Sequence, residues 1–141
     1  MNRGQRLPGT PDPTTYFPGA GGLQLAADTW GDARGPLILL MHGGGQTRHA
    51  WKNAGQTLGS AGYYAIALDA RGHGDSEWSP EGDYGQDAMV EDVQCVVRAL
   101  VGRRPVLVGA SMGGGTALVA IGEARVDATA LVLIDVAPRI E

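Results

Sequence analysis

Pro105-Val106-Leu107-Val108-Gly109-Ala110-Ser111-Met112-Gly113-Gly114-Gly115-Thr116 reads as an apolar strand that runs straight into a helix. Within it, Gly109 to Gly113 fits G-x-S-x-G, a motif that has meaning only in this strand–turn–helix setting. The chain must reverse within about two residues, which forces Ser111 into a strained backbone conformation. The residues two places to either side must then be tiny, as Gly109 and Gly113 are. Gly114 and Gly115 let the helix, which runs to about Gly122, sit close to the sheet. The turn lifts the Ser111 hydroxyl above the sheet at a helix N-terminus, where the dipole favours developing negative charge. Ser111 is therefore a candidate nucleophile. Two phosphate-binding readings of the same glycines fit poorly: a P-loop needs Lys where Gly115 stands, and a dinucleotide loop needs Gly where Ser111 stands. A turn of purely structural purpose stays open.

Outward from this segment the pattern repeats. Leu37 to Met41, Tyr63 to Leu68 and Ala130 to Val136 are apolar runs of strand length, suited to a sheet covered on both faces. Leu23 to Trp30 alternates in part and reads as an antiparallel strand. Arg48 to Leu58 reads as a helix ending near Gly59 and Gly62. Gln86 to Val101 is amphipathic, with Met89, Val93, Val96, Val97 and Leu100 on one stripe and Asp87, Glu91, Asp92 and Arg98 mostly elsewhere. Gly102 stops it, and Asp69 to Ser79 is a loop. Strand and helix in alternation predict an α/β fold of right-handed βαβ units on a mostly parallel sheet, with helices on both faces. Residues 1–13, with Pro8, Pro11 and Pro13, read as a flexible tail. Residues 14–141 show no further boundary.

A second motif, Met41-His42-Gly43-Gly44-Gly45, closes the strand at Leu37 to Met41. An acyl-transfer intermediate carries an oxyanion that needs two preorganised N–H donors. The Met112 amide supplies one candidate. The other comes from this loop, where glycines let backbone approach a substrate, with Gly44 preferred over Gly45. A tight turn without function is the alternative.

Composition excludes several classes. With 15 acidic against 11 basic residues, the net charge of -4 speaks against a nucleic-acid partner. The basic pair Arg103-Arg104 reads as a solvated loop before a strand. The single cysteine, Cys95, precludes an internal disulfide and suits a reducing cytoplasm; its place in a helical stripe reads as core packing. Residues 1–13 lack the apolar stretch of a signal peptide, and no run is long enough to span a membrane. No metal or organic cofactor is implied, since no His, Cys and carboxylate set has ligand spacing.

These landmarks together resemble the α/β-hydrolase superfamily, in its esterase, epoxide-hydrolase-like and haloperoxidase-like branch. The match runs over residues 15–140. It comprises the His42-Gly43 loop, the Asp69-Ala70-Arg71-Gly72-His73-Gly74-Asp75-Ser76 loop, the Ser111 turn and the strand from Leu131 to Pro138, in that order. The resemblance implies that His42 and the Arg71 to Ser76 loop shape the site without supplying the base, so that His73 is structural; His49 reads as a helix-surface residue. Ser in place of Asp at the turn implies ester-type chemistry on a small molecule. The family order is Ser, acid, His, yet no His follows Ser111, because His42, His49 and His73 all precede it. Asp135 is the candidate acid at the end of the last strand. Residues 14–141 thus read as the N-terminal portion of such a core, without cap and C-terminal strands, a truncated chain inactive by itself. Its last strand would be an exposed edge prone to self-association. The alternative is a non-catalytic binding or complementing module that needs a second chain.

Overall fold

All five residues of Leu37–Met41 (β3) are buried, which a strand achieves only at the centre of a sheet covered on both faces. The computed structural model describes residues 11–134. Five further strands flank β3: Thr15–Pro18 (β1), Gln24–Trp30 (β2), Tyr64–Leu68 (β4), Val106–Ala110 (β5) and Ala130–Ile134 (β6). The order across the sheet is β1-β2-β4-β3-β5-β6. β1 and β2 run antiparallel to their neighbours, and β4, β3, β5 and β6 run parallel. The α/β architecture expected from the pattern, a mostly parallel sheet with helices on both faces, is what the chain forms.

Alternation along β3 divides the core. Leu37, Leu39 and Met41 join Val90, Val93 and Val96 of helix α2 (Gln86–Ala99) and Ala117 and Ala120 of helix α3 (Met112–Gly122). Ile38 and Leu40 face the other way, with Ala65 and Ala67 of β4, under Trp30, Trp51 and Leu58. That second layer carries helix α1 (Lys52–Ser60).

Three features depart from the sequence reading. β1 lies beyond the tail as a short edge strand, and its Pro18 is tolerated because an edge strand needs no full ladder. The helix expected over 48–58 begins instead as a 3₁₀ turn, Arg48–Trp51, with α1 following to Ser60. The Arg48 amide donates to Asp69 Oδ1 at 2.6 Å, which pulls the first turn toward the sheet and away from α-helical pitch. The pair Arg103-Arg104 is only half solvated, since the Arg103 guanidinium donates to the Ala33 and Gly35 carbonyls and clamps the turn before β3.

Among the described residues no helix is long and apolar enough to cross a membrane, and no group of three or more His, Cys, Asp or Glu could hold a metal. α1 touches the sheet through Gly55, where an added methyl would enter the face of the Trp30 ring. Gly55→Ala is therefore expected to cost about 1–3 kcal/mol by overpacking, despite the better helix propensity of Ala. Gly122→Ala, with open space around its Cα and no left-handed backbone to strain, makes no such clash, and urea midpoints of the two variants check the contrast.

Candidate active site

The chain moves from β3 to β4 in one direction and then returns past β3 to place β5 on its other side. The connections leaving β3 and β5 therefore pass to opposite faces, and a crevice opens at the carboxyl ends of these two strands. The two glycine motifs of the sequence sit at this crevice. Ser111 follows β5 directly with φ 49° and ψ -112°. Among the described residues only Ser111 and Ala124 combine a side chain with positive φ. A serine so placed is exposed, at the mouth of α3.

The glycines around it are required by distance. A Cβ on Gly109 would lie 2.5 Å from the Gly113 carbonyl group, and one on Gly113 would strike the Met41 and His42 carbonyls. The Gly113 amide donates to the His42 carbonyl at 3.2 Å, fastening α3 to the end of β3. Gly115, expected to ease the helix onto the sheet, instead faces Gln86 at the start of α2.

His42 to Gln46 form a tight turn. The Gln46 amide closes it on the Gly43 carbonyl at 3.1 Å, and Gly45, at φ 75°, takes the position that a type II turn reserves for glycine. The turn lies against Ser111: a Cβ on Gly43 would be 3.3 Å from Ser111 Cβ, and one on Gly44 would be 3.9 Å from Met112 Cβ. The structure thus brings Ser111, Met112 and Gly44 together. The Gly43 amide is already used, by Gln46 Oε1 at 3.0 Å. The first N–H groups of α3 have no intrahelical acceptor, and the Met112 amide stands beside Ser111 at that end. Asp135 lies outside the described residues.

His42 is buried, and both of its ring nitrogens are engaged. Nε2 accepts from the Ala70 amide at 3.0 Å, so the proton resides on Nδ1, which donates to the Gly43 carbonyl at 2.7 Å. Burial holds the imidazole below its ordinary pKa, and neighbouring His73 adds to this, while the Gly43 carbonyl and Asp69 pull the other way. His42 is therefore a neutral spacer between loops. His73, its ring centroid 5.1 Å from that of His42, donates from Nδ1 to the Arg71 carbonyl. His49 is half-buried in the 3₁₀ turn rather than on a helix surface.

Two buried arginines hold the loops that frame the crevice; the sequence named Arg71 only as part of a site-shaping loop and Arg48 only as the start of a helix. Arg48, fully buried, donates to Asp69 Oδ2 at 2.5 Å and Asp75 Oδ2 at 3.0 Å, with Nε 3.1 Å from Asp28 Oδ1. Burial disfavours its charge, but Asp69 and Asp28 outweigh that and its pKa is raised. Arg71 makes a two-pronged pair with Asp92 of α2, at 2.7 and 2.8 Å, and donates to the Asp83 carbonyl. Asp92, expected off the apolar stripe, is thus buried within it. The available signal was the acidic spacing Asp69 and Asp75 in a loop that folds inward, which demands a buried cation. Arg71 and Met112 also line a cavity of about 40 Å³ with apolar Met41, Leu68, Met89 and Val93.

Residues 36–139 match the family model of the alpha/beta hydrolase fold, and the chain belongs to that family. It is 36% identical over 114 residues to an esterase of Mycobacterium tuberculosis, covering 81% of this chain and 37% of the relative. It is 31% identical over 131 residues to protein phosphatase methylesterase 1 of Mus musculus, covering 84% of this chain and 34% of that protein. A solved thioesterase domain from the curacin biosynthetic pathway superposes with a TM-score of 0.81 at 26% identity, over 90% of this chain and 47% of that one. The chain spans about a third of the length of the two curated relatives.

The arginine posts make a prediction. Arg48→Met strips the cation from buried Asp69 and Asp75, and removing one partner of a buried ion cluster costs about 3–5 kcal/mol. Arg34→Met, which removes an exposed pair with Asp32, should leave the midpoint in place. Equal midpoints for the two variants would show that the Arg48 cluster adds nothing.

Proposed function

We propose that this chain carries the nucleophile-bearing portion of a serine hydrolase that cleaves an ester or a related acyl bond of a small molecule. The observation that carries the reading is Ser111, exposed and held at φ 49° against the Gly43–Gly45 turn. In the proposed reaction Ser111 Oγ attacks the acyl carbon and a general base takes its proton. The amides of Gly44 and Met112 hold the oxyanion. The leaving alcohol departs with the proton, and water attacks the acyl-enzyme to release the acid and regenerate the serine. The base and its orienting carboxylate are assigned to residues outside 11–134, as the family order of Ser, acid and His implies, and in keeping with this both ring nitrogens of His42 are committed to backbone partners. Residues 14–141 act as a portion of one core domain, and the 141-residue chain by itself is inactive or nearly so. The esterase and methylesterase names of its relatives support acyl chemistry, and the small apolar cavity lined by Met112 suits a short acyl group.

The native polypeptide that carries this sequence is expected to form a covalent adduct with a fluorophosphonate, mapped by mass spectrometry to the Ser111 peptide. Ser111→Ala should abolish the adduct and lower turnover by on the order of 10⁶. An adduct elsewhere, or turnover that survives the substitution, refutes the nucleophile assignment.

A second reading, a module completed by another chain, is favoured by β6. Its far edge has no partner strand among the described residues, and Val132 and Ile134 are 45% and 41% exposed on one face. Such an edge is a template for association. The 141-residue chain studied alone is expected to self-associate in sedimentation, and Val132→Lys with Ile134→Lys to disperse it. A monomer at all concentrations speaks against this.

A further inference from the structure

Gly44 can serve as an oxyanion donor only if the plane of the Gly43–Gly44 peptide is fixed, because C=O and N–H of one trans peptide point in opposite directions. Orienting the Gly43 carbonyl therefore orients the Gly44 N–H. A glycine on each side of that peptide gives the backbone little resistance to rotation, so the orientation must come from outside it. Two groups hold the Gly43 carbonyl: the Nδ1–H of His42 at 2.7 Å and the Gln46 amide at 3.1 Å. The Gln46 side chain then holds the other end of the same residue, with Oε1 accepting from the Gly43 amide at 3.0 Å. The amide orientation of Gln46 and the tautomer of His42 are dictated by their backbone partners, since each faces a group that can only donate or only accept. The His42 ring is fixed in turn from its far side by the Ala70 amide. Its own carbonyl takes the Gly113 amide of α3, so the same residue that orients the Gly43–Gly44 peptide also sets its position relative to Ser111.

We infer that His42 and Gln46 are positioning residues that clamp the Gly43–Gly44 peptide, so that the Gly44 N–H is preorganised for the anionic intermediate. The inference rests on the assignment of Ser111 as nucleophile and of Gly44 as oxyanion donor. Neither side chain touches the reacting atoms. Their effect is on the chemical step, because a donor preorganised for charge that develops only in the transition state changes kcat and leaves ground-state binding alone. His42 is buried and Gln46 is exposed, so the pair offers one variant that could disturb folding and one that should not.

The test uses the native polypeptide containing this chain, with p-nitrophenyl acetate as substrate and phenylboronic acid as a mimic of the tetrahedral intermediate. His42→Phe and Gln46→Leu should each lower kcat by on the order of 10- to 100-fold with KM within about twofold, and weaken phenylboronic acid in proportion. His42→Asn keeps a side-chain N–H on the Gly43 carbonyl and should recover most of the loss, which a purely structural role for the ring would not allow. Ser111→Ala is the control. If Ser111→Ala is inactive but Gln46→Leu keeps its kcat, or if His42→Asn is no better than a folded His42→Phe, the clamp is overturned and the nucleophile assignment stands. Turnover that survives Ser111→Ala overturns both.

Discussion

The contact between the first turn of α3 and the end of β3 governs this structure. The helix starts one residue after β5 and lies so close to the sheet that Gly113 donates directly to the His42 carbonyl. At that separation there is no room for a Cβ at 109 or 113. The chain can make the connection only by placing Ser111 in a region of backbone space that costs of order 1–3 kcal/mol. The neighbouring strand β3, buried on both faces, holds this arrangement against its own strain. The neighbouring glycine turn and the exposure of the hydroxyl follow from the same close approach.

Around this contact the loops are held by charge rather than by apolar packing. Arg48 gathers Asp69, Asp75 and Asp28, and Arg71 gathers Asp92 and the Asp83 carbonyl. A guanidinium suits this work because its donors form a rigid planar fork. Loops are short of apolar side chains, and a buried cation surrounded by carboxylates and carbonyls selects one loop arrangement out of many. The acidic loop from Asp69 to Ser76 thereby becomes a fixed wall of the crevice, with Ser76 Oγ closing it onto the Asp69 carbonyl and the Ala26 amide.

Most of the fold was legible because its signals are local. Leu37–Met41, the run before Leu68 and the stripe of α2 announce themselves by burial period, and Gly109, Ser111 and Gly113 announce a sharp turn by residue size. β1 was not legible, because Thr15–Pro18 is short, ends in proline and gains its identity only by pairing with β2. The 3₁₀ start at Arg48 was hidden for a related reason: its cause is Asp69, twenty-one residues away. Likewise Asp92 looks like a surface carboxylate until Arg71 is folded onto it. Of the candidate site, Ser111, Met112 and Gly44 could be placed together from motif order alone. Gln46 could not, since a glutamine after three glycines carries no signal until the turn closes on it.

The register of the central strands also bears on how the chain reaches this state. β3 and β5 pair Ile38 with Val106 and Met41 with Gly109, so the two halves of the crevice are joined across most of the intervening chain. Parallel pairing of such distant segments must bear its loop-closure entropy before any contact rewards it. The antiparallel contacts of β1 with β2 span far fewer residues and can form early. The crevice, by contrast, joins β3 to β5 across the stretch of chain that carries α1, β4 and α2. Of all the contacts in the sheet, those that make the crevice therefore carry the heaviest closure entropy, and the backbone edges of β3 and β5 are satisfied only when they find each other.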